Sequence, residues 1–141
     1  TVTPAPSVTY RPLEDFEDDD ARLAYAADLL GQNQPQAAEA FLSDFLAAVE
    51  SGSQLAAAIR YDRGLAHLYL KDYNQAIVDL SAVITQAEYP DAYYNLGNAY
   101  AGLEDDESAL AAYEHAIALE QKPEYTDARD AALARLAPEP T

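Results

Sequence analysis

Cysteine, methionine and tryptophan are absent from this chain. Without cysteine there is no disulfide framework, no thiolate nucleophile and no thiolate metal site, though the absence does not identify a compartment. Without methionine, residue 1 is not a natural start, and the expectation is a processed or trimmed product that has lost a signal peptide or anchor. Lysine occurs only as Lys71 and Lys122, and 8 basic residues stand against 25 acidic ones, for a net charge of -17. Such a surface repels nucleic acid and anionic lipid, because phosphate binding needs clustered Lys and Arg. A basic partner fits it, and the charge also serves solubility. No run of ~18 apolar residues offers a membrane span. The two histidines, His67 and His115, lack a metal-ligand partner at i+4, and there is no H-E-x-x-H, G-x-S-x-G or Gly-rich phosphate loop. The chain is therefore read as non-enzymatic, with no catalytic residue, metal or cofactor assigned.

What remains is apolar and largely alanine: half the residues are hydrophobic, while glycine numbers 5 and the 8 prolines fall mainly at the ends and in connections. One all-α domain of thin, closely packed helices follows. Residues 1–16 read as a linker-like tail, because Pro4, Pro6 and Pro12 favour extended chain. Within the acidic run Glu14–Asp20, carboxylates favour a helix start near Asp19. The run lacks the glycine and the alternating carboxylates of a calcium loop. From 17 to 137 the apolar residues recur with helical period, in hairpins of about 19–51, 53–87 and 90–121 and a closing helix over 124–136, with a frayed end at 138–141. Leu23, Ala26, Ala27 and Leu30 form the first inward stripe, with Gly31 at the helix end. Asn33 with Gln36, and Asp72 with Gln75, have capping-box spacing, and Ser53 is placed to cap the helix after it.

The stretch Tyr93–Ala116 repeats an earlier one. Setting Gly64 on Gly97 brings Tyr61 onto Tyr94, Asp62 onto Asn95, His67 onto Tyr100, Ala76 onto Ala109 and Leu80 onto Tyr113. A period near 33 with two helices per unit marks a helical solenoid. Small residues at Gly64, Ala76, Gly97 and Ala109 let helices approach, and Leu80, Tyr100 and Tyr113 fill the space beside them. Tyr93, Leu96, Gly97, Tyr100, Ala109 and Tyr113 follow the order and spacing of W-x2-L-G-x2-Y…A-x3-F, with tyrosine for the Trp and Phe. The chain thus resembles the tetratricopeptide repeat family. The resemblance is carried by residues 58–120. It extends to 21–51 through Ala26 and Ala38, where the second helix and following turn read as longer than usual. It implies a right-handed α-α superhelix of about three hairpins plus a C-terminal capping helix.

The resemblance also implies a concave groove lined by the first helix of each hairpin, which binds a peptide or partner protein. Carried over residue by residue, the groove set is Tyr61, Asp62, Leu65, Tyr69, Tyr94, Asn95 and Asn98, with Asp91 beside them and Arg129 and Arg135 from the cap helix. One branch of the family grips a C-terminal carboxylate with Lys, Asn and Arg. Here Asn95 and Arg129 occupy two of its five places, while Tyr61, Leu65 and Tyr125 replace the rest. A basic or aromatic ligand is therefore expected over an acidic one. The competing reading is a structural spacer or self-association domain of a larger exported protein. The Thr/Pro/Ser/Ala-rich start adds the expectation of an extracytoplasmic setting.

Overall fold

The computed structural model describes residue 4 and residues 7–140 of the chain. Among the described residues the polypeptide forms seven α-helices and no strand: α1 (Asp19–Gly31), α2 (Pro35–Ala47), α3 (Gln54–Tyr69), α4 (Tyr73–Ile84), α5 (Pro90–Gly102), α6 (Asp106–Leu119) and α7 (Pro123–Leu136). Each helix packs on the next, and α1, α3 and α5 also meet one another, so the first helices of three hairpins lie side by side.

Helix starts use two devices. Asp18, Ser53 and Asp105 accept the backbone N–H of Ala21, Ala56 and Ser108, which satisfies an orphan donor at the heads of α1, α3 and α6. In α2, α5 and α7 the first residue is Pro35, Pro90 or Pro123, whose missing N–H would have had no partner anyway. The capping boxes expected at Asn33 and Asp72 do not form. The cap of α2 is Gln34, and neither it nor Asp72 makes a side-chain cap bond. Asn33 lies instead in the left-handed region at φ 59°, where it ends α1; Gly31 is still helical and is not the terminating residue.

The same turn occurs three times. Lys71 (φ 58°) and Glu104 (φ 61°) match Asn33. In each case the following N–H reaches back five residues: Gln34 to the Leu29 carbonyl at 2.8 Å, Asp72 to His67 at 2.8 Å, Asp105 to Tyr100 at 3.0 Å. This is the Schellman closure, which satisfies carbonyls that the helix end leaves open. Ala26, Gly64 and Gly97 stand at one fixed distance before these turn residues, and Ala38, Ala76 and Ala109 at one fixed distance after. The first hairpin therefore has the register of the other two. Its extra length lies mainly at the head of α3, which starts ten residues before Gly64 whereas α5 starts seven before Gly97.

The core is built from small residues on one helix facing large ones on the next. A Cβ added at Gly64 would lie 2.9 Å from Leu80 Cγ, and one at Gly97 would lie 2.5 Å from Tyr113 Cε1. Both glycines are there because a side chain of the partner helix occupies the space. Phe41, Leu42, Phe45, Ile59 and Leu80 are fully buried, at about 1.5–3 kcal/mol each. In α1 the buried pair is Ala26 and Leu29, and Ala27 faces solvent, which corrects the expected stripe by about one position.

A charged cluster is buried where the alternation of polar and apolar residues gives no hint of it. Arg63 donates through Nε and Nη2 to both oxygens of Asp79, each at 2.8 Å, and Asp79 is only 3% exposed. Nη1 reaches Ser43 Oγ on α2 at 3.3 Å, so the guanidinium ties two hairpins together. His67 sits between Asp79 and Asp72, with ring nitrogens 3.8 and 3.6 Å from their carboxylates.

The N-terminal segment is not a free tail from Tyr10 onward. Tyr10 donates to Asp44 at 2.5 Å, and the Arg11 N–H donates to the Tyr25 hydroxyl at 2.9 Å. The Phe16 ring lies 4.8 Å from Tyr25 and 5.5 Å from Phe41, with the Arg11 guanidinium 4.5 Å from its centroid. Tyr10, Leu13 and Phe16 thus cover an apolar end of the first hairpin that a bare repeat would expose. The expected linker is folded here, because three large apolar residues outweigh the prolines between them. Residues 1–3, 5 and 6 of that linker lie outside the described residues, as does Thr141 of the expected frayed end.

Candidate ligand-binding groove

Two clefts open beside α3, one toward the end of α4 and the α4–α5 connection and one toward α5. The larger, about 480 Å³, lies at the start of α3 and is lined by Ala57, Ala58, Tyr61 and Asp62, with Ala87 and Tyr89 from the α4–α5 connection. The second, about 360 Å³, is lined by Leu65, Leu68 and Tyr69 of α3, Tyr73 of α4, and Asn95 and Asn98 of α5. Leu65, expected in the groove, and Leu68 are half-buried and line this cleft, while Ala66 and His67 take the buried places. Tyr69 is 63% exposed at the rim. The N-terminal segment packs on the aromatic end of the first hairpin and lines neither cleft.

A line of hydrogen bonds crosses the groove wall. The Asn95 amide donates to the Tyr61 hydroxyl at 3.1 Å and to the Asp91 carbonyl at 2.9 Å. Asn98 donates to Asn95 Oδ1 at 3.4 Å and accepts from the Tyr113 hydroxyl at 2.7 Å. Both amide protons of Asn95 are therefore spent within the protein, whereas Asn98 keeps one for a ligand. Burial pushes the Tyr61 phenol well above its ordinary range and that of Tyr113 up to about 12, so both stay neutral donors.

The remaining expected groove residues are drawn into packing. Tyr94 lies between Tyr113, at 5.9 Å, and Tyr125, at 5.0 Å. Tyr125 itself is fully buried and donates its hydroxyl to Asp91, which also receives Lys122 Nζ at 3.3 Å. Burial first, then the Asp91 hydrogen bond, push the Tyr125 phenol up to about 12; hydrogen bonding to Asp91 raises Lys122 above the ordinary lysine range. Arg129 turns to its neighbour Asp130 at 3.0 Å. Arg135 does not reach the groove: its Nε pairs with Asp106 at the head of α6, at 2.7 Å. The places of the carboxylate grip are thus filled by a buried Tyr125, an internally bonded Tyr61 and an apolar Leu65.

Asp62 stands apart. It lines the larger cleft, and among the described residues it makes no hydrogen bond and no ion pair. Burial alone pushes its carboxyl up to about 6. Tyr89, which sequence reasoning did not place in the groove, stands opposite, with its ring 5.0 Å from that of Tyr61 at 60°. Its position in a connection, just before Pro90, carried no periodic signal.

Residues 90–123, spanning α5, α6 and the first residue of α7, match the family model described as tetratricopeptide repeat. The chain carries a tetratricopeptide repeat. No curated protein sequence matches it significantly. Among solved structures it is similar to the first TPR domain of the human RPAP3 protein, with a TM-score of 0.76 and 20% identity over 84% of this chain and 91% of that one. It is also similar to MamA in two crystal structures. In one the TM-score is 0.65, with 22% identity over 84% of this chain and 78% of that one. In the other the TM-score is 0.66, with 24% identity over 87% and 72%. At these identities the likeness establishes the fold, and that fold is the helical superhelix of tetratricopeptide-repeat domains. The matched repeat contributes Asn95 and Asn98 to the groove, and the hairpin before it contributes Tyr61, Asp62, Leu65 and Tyr69. Repeat and fold together support a protein–protein interaction module. No helix among the described residues is long and apolar enough to cross a membrane.

Proposed function

We propose that the chain binds an extended segment of a partner protein along the inner face of α3 and α5. The observation that carries this reading is the pair of clefts along α3, the second of which reaches α5 and is lined by exposed Tyr69 and half-buried Leu65 and Leu68. Such apolar floors with a few polar groups at the edge are what peptide-binding grooves use. The polar groups of the groove are bonded to one another rather than aimed at a common point, which favours binding over catalysis. The surrounding charge favours a basic or aromatic segment over an acidic one. The test is capture of a partner by the intact chain, mapping of its bound segment, and titration of that segment against Tyr69→Ala and Leu65→Ala. Each variant should weaken binding by about tenfold, the range of a central contact residue, with an unchanged helical spectrum. A segment that binds both variants as tightly as the parent would sink the groove reading.

A further inference from the structure

We infer that the cleft at the start of α3 is a subsite for a basic side chain of the partner segment, arginine before lysine, with Asp62 as its counter-charge and Tyr61 and Tyr89 as its aromatic walls. The inference deepens the groove reading and rests on it.

Four observations converge there. First, Asp62 is a half-buried carboxylate in the cleft without a partner among the described residues, and a partly desolvated charge left unpaired is costly until a counter-ion arrives. The neighbouring inner-face carboxylate differs: Asp91 is held by Lys122 and Tyr125. Second, two tyrosine rings packed on each other at 5.0 Å and 60° line the same cleft as that carboxylate. A guanidinium or ammonium within about 6 Å of a ring centroid is attracted by its quadrupole. Third, Ala57, Ala58, Ala87 and Val83 give the wall an apolar stretch for the methylene stem of a long basic side chain, with Gln54 and Gln86 as the remaining lining. Fourth, the Tyr61 wall is fixed in advance, because Asn95 donates to its hydroxyl at 3.1 Å. The net charge of -17 adds a field that draws cations toward the protein. A neutral apolar side chain would fill the same space but leave Asp62 half-buried and unpaired. An acidic one would be repelled. Arginine ranks ahead of lysine because its planar guanidinium stacks on aromatic faces and sheds water more readily.

The experiment is an amide-resolved NMR titration of the whole chain with a capped alanine-glycine peptide carrying two arginines. The same peptide with both replaced by citrulline, and again by lysine, serves as comparison. Citrulline keeps the shape and removes the charge. The arginine peptide should shift the amides of Ala57, Asp62 and Ala87, and the citrulline peptide should bind about tenfold more weakly, the scale of one desolvated cation–π and ion contact. Asp62→Asn should reduce the difference between the two peptides several-fold. Tyr89→Leu, at a position 40% exposed, should weaken arginine binding while leaving the melting curve unchanged. Equal binding of arginine and citrulline, no response to Asp62→Asn, or no shift with the arginine peptide would each overturn the subsite. Shifts confined to Leu65, Tyr69 and Asn98 would overturn it while leaving the groove reading standing. That reading falls only if a captured partner segment ignores Tyr69→Ala and Leu65→Ala.

Discussion

Three helical glycines of this chain should answer the same substitution with different signs. At Gly97, alanine would set a Cβ 2.5, 2.6 and 3.0 Å from three atoms of the Tyr113 ring. Ordinary carbon–carbon contact is near 3.5–4.0 Å, so the ring must retreat by about 1 Å. It has little freedom to do so: Tyr113 is 3% exposed, and its hydroxyl is tied to Asn98 at 2.7 Å. Overpacking of this kind costs about 1–3 kcal/mol. Disturbing the hydrogen bond adds about 0.5–1.5 kcal/mol. Alanine returns about 1 kcal/mol through its better helix propensity. The net is a loss of about 1–3 kcal/mol, or roughly 3–9 °C in melting temperature for a domain of this size. At Gly31 nothing lies within 4 Å of the added atom. There only propensity acts, and Gly31→Ala should raise the melting temperature by roughly 2–3 °C. Gly64→Ala should fall between, since Leu80 Cγ at 2.9 Å belongs to a single branched side chain rather than a hydrogen-bonded ring. Thermal melts followed by circular dichroism measure all three. In a Tyr113→Leu background, which copies the second hairpin, the Gly97→Ala penalty should shrink. A Gly97→Ala protein that melts above the parent, as Gly31→Ala should, would refute the close approach of α5 and α6.

Three further outcomes follow from other parts of the molecule. Lys71→Gly and Glu104→Gly remove side chains from left-handed positions and should each stabilise by about 0.5–1 kcal/mol, read from denaturant midpoints. Asp62→Asn should stabilise at pH 7–8. The folded-state carboxyl is raised from 3.8 to about 6, so the folded protein bears the cost of its charge only above that range. As pH falls from about 6 toward 4 the parent should catch up, and melts across that window would show whether the gain disappears. Asp79→Ala strips Arg63 of both short bonds and should cost about 3–5 kcal/mol. A joint Arg63→Leu/Asp79→Leu variant should recover much of it, and urea unfolding of both gives the comparison.

The fold was legible where residue type reports spacing directly. Gly64 and Gly97, opposed to Leu80 and Tyr113, announce close helix packing because glycine in the middle of a helix costs about 1 kcal/mol relative to alanine unless a neighbour needs the space. The first hairpin was harder, since alanine at 26 is as ordinary in a helix as it is necessary there. Its register became visible through the turns, whose left-handed residues are Asn33, Lys71 and Glu104. Lysine and glutamate have no bias toward that conformation, so the sequence carried no mark of it. Asp79 was hidden for a similar reason: a carboxylate carries no mark of burial in the sequence, and Arg63 from the adjacent helix makes its burial tolerable. In the groove, the repeat alignment found Tyr61, Asp62, Leu65, Tyr69, Asn95 and Asn98 on the cleft walls. It did not distinguish them from Tyr94, which Tyr113 and Tyr125 enclose. A heptad-like or 33-residue period specifies which way a residue points, not how near the next hairpin stands.

The closure of the first hairpin by Tyr10, Leu13 and Phe16 bears on how the array opens. In a one-dimensional stack the terminal unit has a single neighbour and unravels first. Here the first unit is gripped on its outer side by an aromatic contact and by two hydrogen bonds, so it behaves as an interior one. The far end is held by α7 through buried Tyr125 and Ala132 and the Arg135–Asp106 pair, while residues from Leu133 onward are exposed. Amide exchange should therefore be asymmetric: slow from α1 through α6, and fast in the last turn of α7. Melting then proceeds as a zipper that opens from one end.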